Sequence, residues 1–282
     1  MKNILTILTI IFFAIVSCKE KYNNFKVNFE SKPIQIKGSV GNLSAILQTP
    51  DLPENEKCPV VILMHGITSF KERPLFLMLA DKLQAEGIAS IRFDFNGHGE
   101  SEGEFIDMTI PKEIEDARAI YEYVKNLNFV ENISLLGHSQ GGVVASMFGG
   151  ELKDNIQSIV LMAPAGIIED AAKGGTILGQ TFNTNNIPEY IEFNNYKIGS
   201  DYIKTAQTLN IYETAAQYEG PVCIIHGTAD EIVPYNYGER YRDIYKDGVL
   251  YPIEGDDHSF SKDMDRATDI AVDFIKNILE NN

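Results

Sequence analysis

The sequence predicts an α/β domain with a mostly parallel central sheet, helices on both faces and a small inserted cap. Three observations support this fold class. Continuous apolar runs such as PVVILM at 59–64 are typical of strands that are buried on both faces. These runs alternate with segments of helical periodicity, which implies parallel strands joined by right-handed crossovers. The alternation stops over 164–218, and a stretch of that length predicts a functional insertion rather than a plain loop.

The predicted elements follow one another along the chain as this fold requires. The early strands alternate apolar and polar residues with a period of two, whereas the later strands are continuous apolar runs. The helix over 73–86 ends at Gly87, and the helix over 111–126 begins at Pro111, which suits a first turn. The predicted strands are 25–30, 43–48, 59–64, 88–95, 132–136, 156–162, 221–225 and 248–253. The predicted helices are 73–86, 111–126, 140–148, 237–245 and 264–279.

The charge balance excludes two classes of partner. Acidic residues outnumber basic ones by 40 to 24, so the formal net charge is −16. Nucleic acids and strongly anionic membrane surfaces are bound through clustered lysine and arginine, and neither is expected here. Cys58 and Cys223 each open an apolar run and are predicted to be buried free thiols, although export would permit a disulfide. No spacing of cysteine and histidine fits a metal site, and no cofactor is expected.

The first residues are predicted to be a targeting segment rather than part of the fold. Residues 1–17 begin with basic Lys2 and continue with an apolar run that suits a signal peptide and is short for a membrane span. The ending IVSC resembles the bacterial lipobox, in which the cysteine, here Cys18, is lipidated after cleavage. We therefore expect an exported bacterial lipoprotein anchored in the cell envelope at the outer membrane, with residues 18–24 as a tether and 25–282 as the domain. An ordinary signal peptide with an incidental cysteine is the alternative.

The stretch LLGHSQGG contains the motif on which the predicted chemistry depends. Gly137, His138, Ser139, Gln140 and Gly141 match G-x-S-x-G. They lie between a predicted strand and a predicted helix, which is the context that this motif needs. The helix N-terminus also favours developing negative charge. Ser139 is therefore the candidate nucleophile, and a glycine-rich bend with an incidental serine is the alternative.

A serine hydroxyl needs a general base, and position distinguishes the five histidines of the chain. His258 lies in a polar loop between the last strand and the last helix, and it is the candidate base. The others follow strands or lie in turns and are interpreted as structural; they are His65, His98, His138 and His226.

The base in turn needs a carboxylate that fixes its tautomer. Asp230 follows the strand VCII and is the preferred residue, with Glu231 as its neighbouring rival. Asp256 and Asp257 are too close to His258 in sequence to reach its far nitrogen easily. The predicted triad is Ser139, Asp230 and His258, in that chain order.

Two backbone amides are predicted to bind the oxyanion that forms during acyl transfer. One is the N–H of Gln140, the residue after the nucleophile. The other is assigned to Ile67, in the loop that follows the strand at 59–64. Preorganised donors of this kind contribute roughly 3 kcal/mol each in comparable enzymes.

With these residues, the mature sequence resembles the α/β-hydrolase superfamily over nearly all of its length, including the order of the triad. The motifs that carry the resemblance are MHGITSFKER, RFDFNGHGESEG, GHSQGG, HGTADEIVP and EGDDHSF. Narrower matches make the chain similar to the bacterial feruloyl and cinnamoyl esterases; among them are LMAPA, NIPEY, YIKTAQTLNIYE and PVCIIHGTAD. The resemblance implies an α/β-hydrolase fold with a cap over the active site, here about 164–218.

The same resemblance implies a class of substrate. Members of this group cleave hydroxycinnamate esters of plant cell-wall sugars, so the expected partner is a small ester such as a hydroxycinnamoyl saccharide. In that group a cap tyrosine at the position of Tyr202 contacts the phenolic end of the substrate; packing of the cap is its alternative role. Phe193 is the expected counterpart of a cap tryptophan, because this sequence has no Trp.

Other functions remain open on the sequence alone. A general short-chain acylhydrolase, a serine peptidase or a lipase could use the same triad, and a non-catalytic ligand-binding protein could keep the pocket. The cap is rich in Asn, Gly and Tyr, which disfavours long acyl chains, and peptidases of this fold usually carry an extra domain. No triad member is lost, which disfavours the binding protein. The oligomeric state is left open.

Overall fold

The apolar runs of the sequence form one eight-stranded sheet in the computed structural model, which describes residues 30–281. Its strands are β1 (Glu30–Lys37), β2 (Asn42–Thr49), β3 (Cys58–Met64), β4 (Ala89–Phe93), β5 (Val130–His138), β6 (Ile159–Met162), β11 (Val222–Gly227) and β12 (Gly248–Ile253). In space they run in the order β1-β2-β4-β3-β5-β6-β11-β12. The pairs β1–β2 and β2–β4 are antiparallel, and the other pairs are parallel. The predicted α/β fold with a mostly parallel sheet is therefore confirmed.

Helices cover both faces of this sheet, which explains why its inner strands are mostly apolar. The longer helices are α1 (Pro74–Ala85), α2 (Ile110–Lys125), α3 (Gln140–Leu152), α7 (Asn236–Ile244) and α8 (Met264–Glu280). Along β3, Val60, Ile62 and Met64 pack in the cluster that contains α2 and α3. Val61 and Leu63 pack in the opposite cluster, with α1 and α8. Strand β3 thus contributes to two hydrophobic cores.

The predicted element boundaries hold within a few residues for most strands and for the longer helices. The first strand is the exception. Residues 25–29 lie outside the described residues, and the described strand β1 begins at Glu30 and contains Pro33, which the sequence analysis did not place in a strand. Proline lacks a backbone N–H, and it is tolerated here because β1 is the edge strand of the sheet.

The cap segment, residues 164–218, contains short elements that the sequence did not predict. They are α4 (Ile167–Lys173), β7 (Thr176–Ile177), β8 (Gln180–Thr181), β9 (Tyr190–Phe193), β10 (Tyr196–Gly199), α5 (Ser200–Ala206) and α6 (Ile211–Ala215). The strands pair as two antiparallel hairpins, β7–β8 and β9–β10. Helix α6 lies directly on α3, since a Cβ added at Gly150 would be 1.9 Å from the Thr214 carbonyl oxygen. The cap segment is therefore fixed to the helix that follows the candidate nucleophile.

Several further expectations concern groups away from the site. Cys58 and Cys223 are buried free cysteines, as predicted. Among residues 30–281, no set of three or more histidine, cysteine, aspartate or glutamate side chains is arranged to hold a metal ion. Over the same residues, every helix is too short or too polar to cross a membrane. The predicted signal peptide, tether and lipidation site at Cys18 lie outside the described residues.

Candidate active site

Ser139 lies on a strained turn between β5 and α3. Its backbone dihedrals are φ 57° and ψ −122°, a conformation that costs a non-glycine residue roughly 1–3 kcal/mol. Neighbouring backbone approaches so closely that glycine is required on both sides. A Cβ at Gly137 would lie 2.1 Å from the Gly141 carbonyl oxygen, and a Cβ at Gly141 would lie 2.3 Å from the Met64 carbonyl oxygen. The turn therefore presents the serine hydroxyl at the C-terminal edge of the parallel strands.

The structure brings the three predicted triad residues together. His258 Nε2 lies 2.8 Å from Ser139 Oγ, and His258 Nδ1 lies 2.7 Å from Asp230 Oδ2. Since the ionised carboxylate can only accept, Nδ1 carries the proton and Nε2 is left to accept the serine proton. The His258 side chain is 14% exposed and the Asp230 side chain is fully buried. This geometry suits a nucleophile, a general base and an orienting acid.

The loop after β11 binds Asp230 through several donors. Its Oδ1 accepts the backbone N–H groups of Ile232 at 2.9 Å and Val233 at 2.8 Å. Burial would raise the pKa of Asp230, but contacts with His226 and His258 together with the backbone donors hold that pKa below its usual range. Asp230 is therefore ionised, and it stabilises a positive charge on His258 when one develops.

The rival carboxylates have other roles. Asp256 is buried and accepts the backbone N–H groups of Asp257, Lys262 and Asp263, so it shapes the loop that carries His258. Asp257 accepts the N–H groups of Ser259 and Ser261 in the same loop. Glu231 is exposed and lines the cavity described below. None of the three replaces Asp230 beside His258.

His138 contacts the backbone of the candidate base, His258. Its Nε2–H donates to the His258 carbonyl oxygen at 2.8 Å, and the two ring centroids are 5.0 Å apart. Burial, with a contribution from nearby His258, lowers the pKa of His138 to about 3, so this ring is neutral at physiological pH. It contacts the backbone of the base and not the serine hydroxyl, in agreement with a structural role.

The loop after β3 carries Ile67 and is held in place by buried polar contacts. His65 donates from Nδ1 to the Gly66 carbonyl oxygen at 2.8 Å, and its Nε2 accepts the Phe95 N–H at 3.1 Å. Lys71 binds the carboxylates of Asp94 and Glu100, each at 2.7 Å.

The two predicted oxyanion donors are available for a ligand. Ile67 and Gln140 line the same cavity as Ser139. Gln140 is the first residue of α3, where a backbone N–H has no acceptor within the helix. Across residues 30–281, no hydrogen bond to protein engages the backbone N–H of either residue. Both amides can therefore bind a developing oxyanion.

Comparison with known proteins decides the family. The profile of a family described as "Serine aminopeptidase, S33" matches residues 55–190. The solved structure of Est1E from Butyrivibrio proteoclasticus with bound ferulic acid superimposes with a TM-score of 0.83. It is 32% identical, and the match covers 88% of this chain and 99% of Est1E. The chain belongs to the α/β-hydrolase serine esterases.

Curated relatives of this α/β-hydrolase are more distant. Lysophosphatidylserine lipase ABHD12 of Danio rerio is 25% identical over 189 residues, which is 66% of this chain and 47% of the relative. Palmitoyl-protein thioesterase ABHD10 of Pongo abelii is 24% identical over 219 residues, which is 71% of this chain and 68% of the relative. The chain spans about half the length of the ABHD12 lipase. The names of these relatives specify different acyl substrates.

A cavity of about 880 Å³ opens above Ser139 in this α/β-hydrolase. One side is formed by the cap segment, and the other by the loop after β3 and the first turn of α1. Cap residues that line the cavity include Ile167, Ile168, Ile177, Leu178, Phe193 and Tyr202. A second groove of about 740 Å³ lies near β1 and the end of α2, and its lining residues include no serine, cysteine or histidine. The cavity above Ser139 is therefore the candidate substrate site.

Tyr202 combines the two roles that the sequence left open. It lines the cavity, and it is also 2% exposed and packed inside the cap. Its hydroxyl donates to Gln140 Oε1 at 2.6 Å, and Gln140 Nε2 donates to both Glu113 carboxyl oxygens at 2.9 and 2.8 Å. Phe193, from β9, is half-buried and lines the same cavity. Residues from the cap, from α3 and from α2 are thus joined beside the nucleophile.

Two residues near the site were missed by sequence reasoning. Glu113 lies on the buried stripe of α2 together with Ile110, Ile114 and Ala117, and an acid at that spacing was the available signal. Burial, partly opposed by the Gln140 hydrogen bond, raises the pKa of Glu113 well above its usual range. His226 was interpreted as structural, yet its Nε2 lies 3.2 Å from Asp230 Oδ2.

Proposed function

We propose that this α/β-hydrolase is a serine carboxylic-ester hydrolase that acts on hydroxycinnamate esters and releases phenolic acids. The observation that carries the reaction type is the hydrogen-bonded series Ser139–His258–Asp230, with spacings of 2.8 and 2.7 Å, at the base of a cavity. Triads of this geometry perform acyl transfer on several unrelated folds. The site supplies its own base and oxyanion donors, so the proposed reaction needs no cofactor.

The reaction proceeds through an acyl-enzyme. Ser139 Oγ attacks the ester carbonyl carbon while its proton passes to His258 Nε2, and the amides of Ile67 and Gln140 bind the oxyanion. His258 then gives the proton to the leaving oxygen, so the alcohol departs and the acyl group stays on Ser139. Water attacks the acyl-enzyme, passing a proton to His258, which returns it to Ser139 as the acid leaves. Asp230 stabilises the imidazolium in both halves.

Two features support a hydroxycinnamate acyl group. The first is the similarity to Est1E, whose structure holds ferulic acid. The second is the direction of the hydrogen bond at Tyr202. Because the Tyr202 proton is donated to Gln140, the oxygen presents lone pairs to a ligand and would accept a hydrogen bond from a phenolic hydroxyl. Phe193 offers an aromatic face in the same cavity for the cinnamoyl ring.

A label and a substrate panel test this proposal. A fluorophosphonate probe is expected to attach to the wild-type protein at Ser139 and to fail on Ser139→Ala. In the panel, kcat/KM for methyl ferulate is expected to exceed that for a long-chain p-nitrophenyl ester, with p-nitrophenyl acetate in between. Absence of labelling would refute the proposal that the protein is a serine hydrolase. A preference for the long chain would favour the lipase alternative, and a preference for the acetate a general short-chain acylhydrolase.

We also propose that the protein is an exported bacterial lipoprotein of the outer membrane, with its anchor at Cys18. The support is the sequence of residues 1–18, an apolar segment that ends in IVSC. Metabolic labelling with a palmitate analogue in a bacterial host is expected to mark the wild type and not Cys18→Ala. Equal labelling of the two proteins would refute the anchor, and it would leave the esterase proposal unaffected.

A further inference from the structure

His226 is a buried histidine beside the triad to which the reaction described above gives no role. It lies at the C-terminal end of β11, and its side chain is inaccessible to solvent. Its Nε2 lies 2.9 Å from the Val233 carbonyl oxygen and 3.2 Å from Asp230 Oδ2. Both neighbours can only accept a hydrogen bond, so this nitrogen must carry the proton.

The other ring nitrogen supports the same placement of the proton. In the described part of the chain, Nδ1 is buried and has no hydrogen-bond partner. A proton on Nδ1 would lie in a buried site that offers no acceptor, which is costly. His226 is therefore held as the Nε2–H tautomer, with one proton available to two acceptors.

The two acceptors belong to one structural unit, the turn that carries the triad carboxylate. Val233, whose carbonyl oxygen accepts from His226, donates its own N–H to Asp230 Oδ1 at 2.8 Å. His226 therefore restrains, through the Val233 carbonyl oxygen, the same residue whose N–H orients Oδ1. The remaining contact, at Oδ2, shares that oxygen with His258 Nδ1 at 2.7 Å. His226 thus restrains both oxygens of the carboxylate.

We propose that His226 is a positioning residue for the triad: its Nε2–H, shared between the Val233 carbonyl oxygen and Asp230 Oδ2, holds the Asp230 carboxylate against His258. The inference deepens the proposed function and rests on it. A displaced carboxylate would leave the His258 ring free to rotate away from Ser139, and displacements of about 1 Å can cost roughly 10²-fold in rate.

The surroundings of His226 fix its ring from the far side. The ring packs edge-on against Tyr235, with centroids 5.7 Å apart. Helix α7 approaches so closely that a Cβ added at Gly238 would lie 2.7 Å from His226 Nδ1. Gly238 is therefore a second, independent position from which the ring can be displaced without removing its N–H.

Three variants and a control test the proposal. His226→Leu removes the donor, His226→Gln keeps an N–H near the position of Nε2, and Gly238→Ala pushes the ring towards the triad. Glu239→Ala is the control, because this exposed side chain is the next residue on α7. Each protein is assayed with p-nitrophenyl acetate for kcat, KM and the pH dependence of kcat/KM, and its thermal unfolding is recorded.

The expected pattern separates positioning from packing. His226→Leu should lower kcat roughly 10²-fold with KM changed less than about 3-fold, and His226→Gln should recover at least about a tenth of the wild-type rate. Gly238→Ala should lower kcat about 10-fold, and Glu239→Ala should leave it unchanged. In His226→Leu the acid limb of the pH profile should move to lower pH, because a displaced Asp230 carboxylate stabilises protonated His258 less.

A spectroscopic measurement makes the test independent of the rate. The proton between His258 Nδ1 and Asp230 should give a far-downfield NMR resonance in the wild type, and this resonance should broaden or move upfield in His226→Leu. The proposal is overturned if kcat of the folded His226→Leu protein stays within about 3-fold of wild type. It is also overturned if His226→Leu and His226→Gln lose rate and thermal stability equally, with an unchanged resonance. If the wild type hydrolyses no ester and Ser139 is not labelled, the proposed function itself fails.

Discussion

The triad loops and the cap segment are built in opposite ways. Ser139, Asp230 and His258 follow β5, β11 and β12, strands whose side chains pack in two hydrophobic clusters. The cap segment consists of strands of two to four residues and helices of five to seven. Elements this short are not stable alone, so their order depends on contacts with the rest of the domain. The triad is therefore positioned by the sheet, and the shape of the cavity above Ser139 depends on long-range packing.

The largest expected effect is the loss of kcat when the nucleophile is removed, with the folds of the triad loops and the cap segment left intact. Ser139→Ala should lower kcat for p-nitrophenyl acetate by about 10⁴-fold or more, because the nucleophile is lost. Its free energy of unfolding should change little, because the hydroxyl bonds only to His258 among the described residues. Ser146→Ala is the matched control, a buried serine in α3 that bonds to the Val143 carbonyl oxygen and Tyr241.

The two serines make the test specific. Ser146→Ala should reduce stability by about 1 kcal/mol with kcat unchanged, since it loses hydrogen bonds away from the cavity. Activity is followed spectrophotometrically and stability by urea unfolding. If Ser139→Ala retains more than about 1% of the wild-type rate, the nucleophile has been assigned wrongly.

The same contrast explains what the sequence could predict. The triad was predictable because each member follows an apolar run that ends at the same edge of a parallel sheet, so a local pattern determines a spatial position. The longer helices were predictable from periodicity, as for α8, whose predicted and observed bounds differ by one residue at the C-terminus. Neither inference needs a contact between distant segments.

The parts that were missed depend on such contacts. Strands β7 and β8 have two residues each, too few for a period-two pattern to be visible. Glu113 acquires its position through Gln140, which is 27 residues away in the chain. His226 was placed at a strand end and interpreted as structural. Its contact with Asp230 depends on the path of the loop between them, which no sequence period specifies.

A buried ion pair tests how strongly the loop after β3 is held in place. Lys71 is 3% exposed and binds Asp94, which is fully buried, in the network that orders the loop carrying Ile67. Lys71→Met leaves the Asp94 carboxylate without its cation and should cost about 3 kcal/mol of unfolding free energy. It should also lower kcat more than it raises KM, because the oxyanion donor becomes less ordered. Urea unfolding and steady-state kinetics measure the two effects, and a loss of stability below about 1 kcal/mol would contradict this account.

Acid sensitivity that comes from histidines should arise outside the cap segment, since residues 164–218 contain no histidine. Burial lowers the pKa of His98 to about 3 and that of His65 to about 4. The unfolded chain takes up these protons near pH 6.5 and the folded chain does not, so stability is present above pH 6.5 and is lost as pH falls towards the folded values. Each such histidine should contribute about 1.4 kcal/mol per pH unit in this window.

A single variant isolates one of these histidines. His98→Leu removes one titrating group, so the slope of unfolding free energy against pH between 6 and 5 should decrease by about 1.4 kcal/mol per pH unit. Urea titrations at half-unit steps of pH provide the slope, which does not depend on the absolute stability of the variant. Parallel slopes for the two proteins would show that His98 is accessible to protons in the folded state.

The cap segment should affect selectivity more than rate. Tyr202→Phe removes a hydroxyl that donates to Gln140, on a residue that lines the cavity above Ser139. We expect kcat/KM for methyl 4-hydroxycinnamate to fall about 5-fold, the worth of one neutral hydrogen bond, while that for methyl cinnamate changes less than 2-fold. An equal loss for both esters would mean that Tyr202 serves only to pack the cap.

The smallest effect is expected at a cap ion pair, which is the counterpart of the one at Lys71. Lys204 lies 3.1 Å from Asp201 on α5, and both side chains are more than half exposed. Water already stabilises each charge there, so Lys204→Gln should change the free energy of unfolding by less than about 0.5 kcal/mol and leave kcat unchanged. The ratio of the Lys71 and Lys204 effects, measured by urea unfolding under one buffer condition, compares electrostatic support in the two regions. A cost above about 1 kcal/mol at Lys204 would show that surface charge helps to hold the cap on the domain, and packing through α6 would then be insufficient by itself.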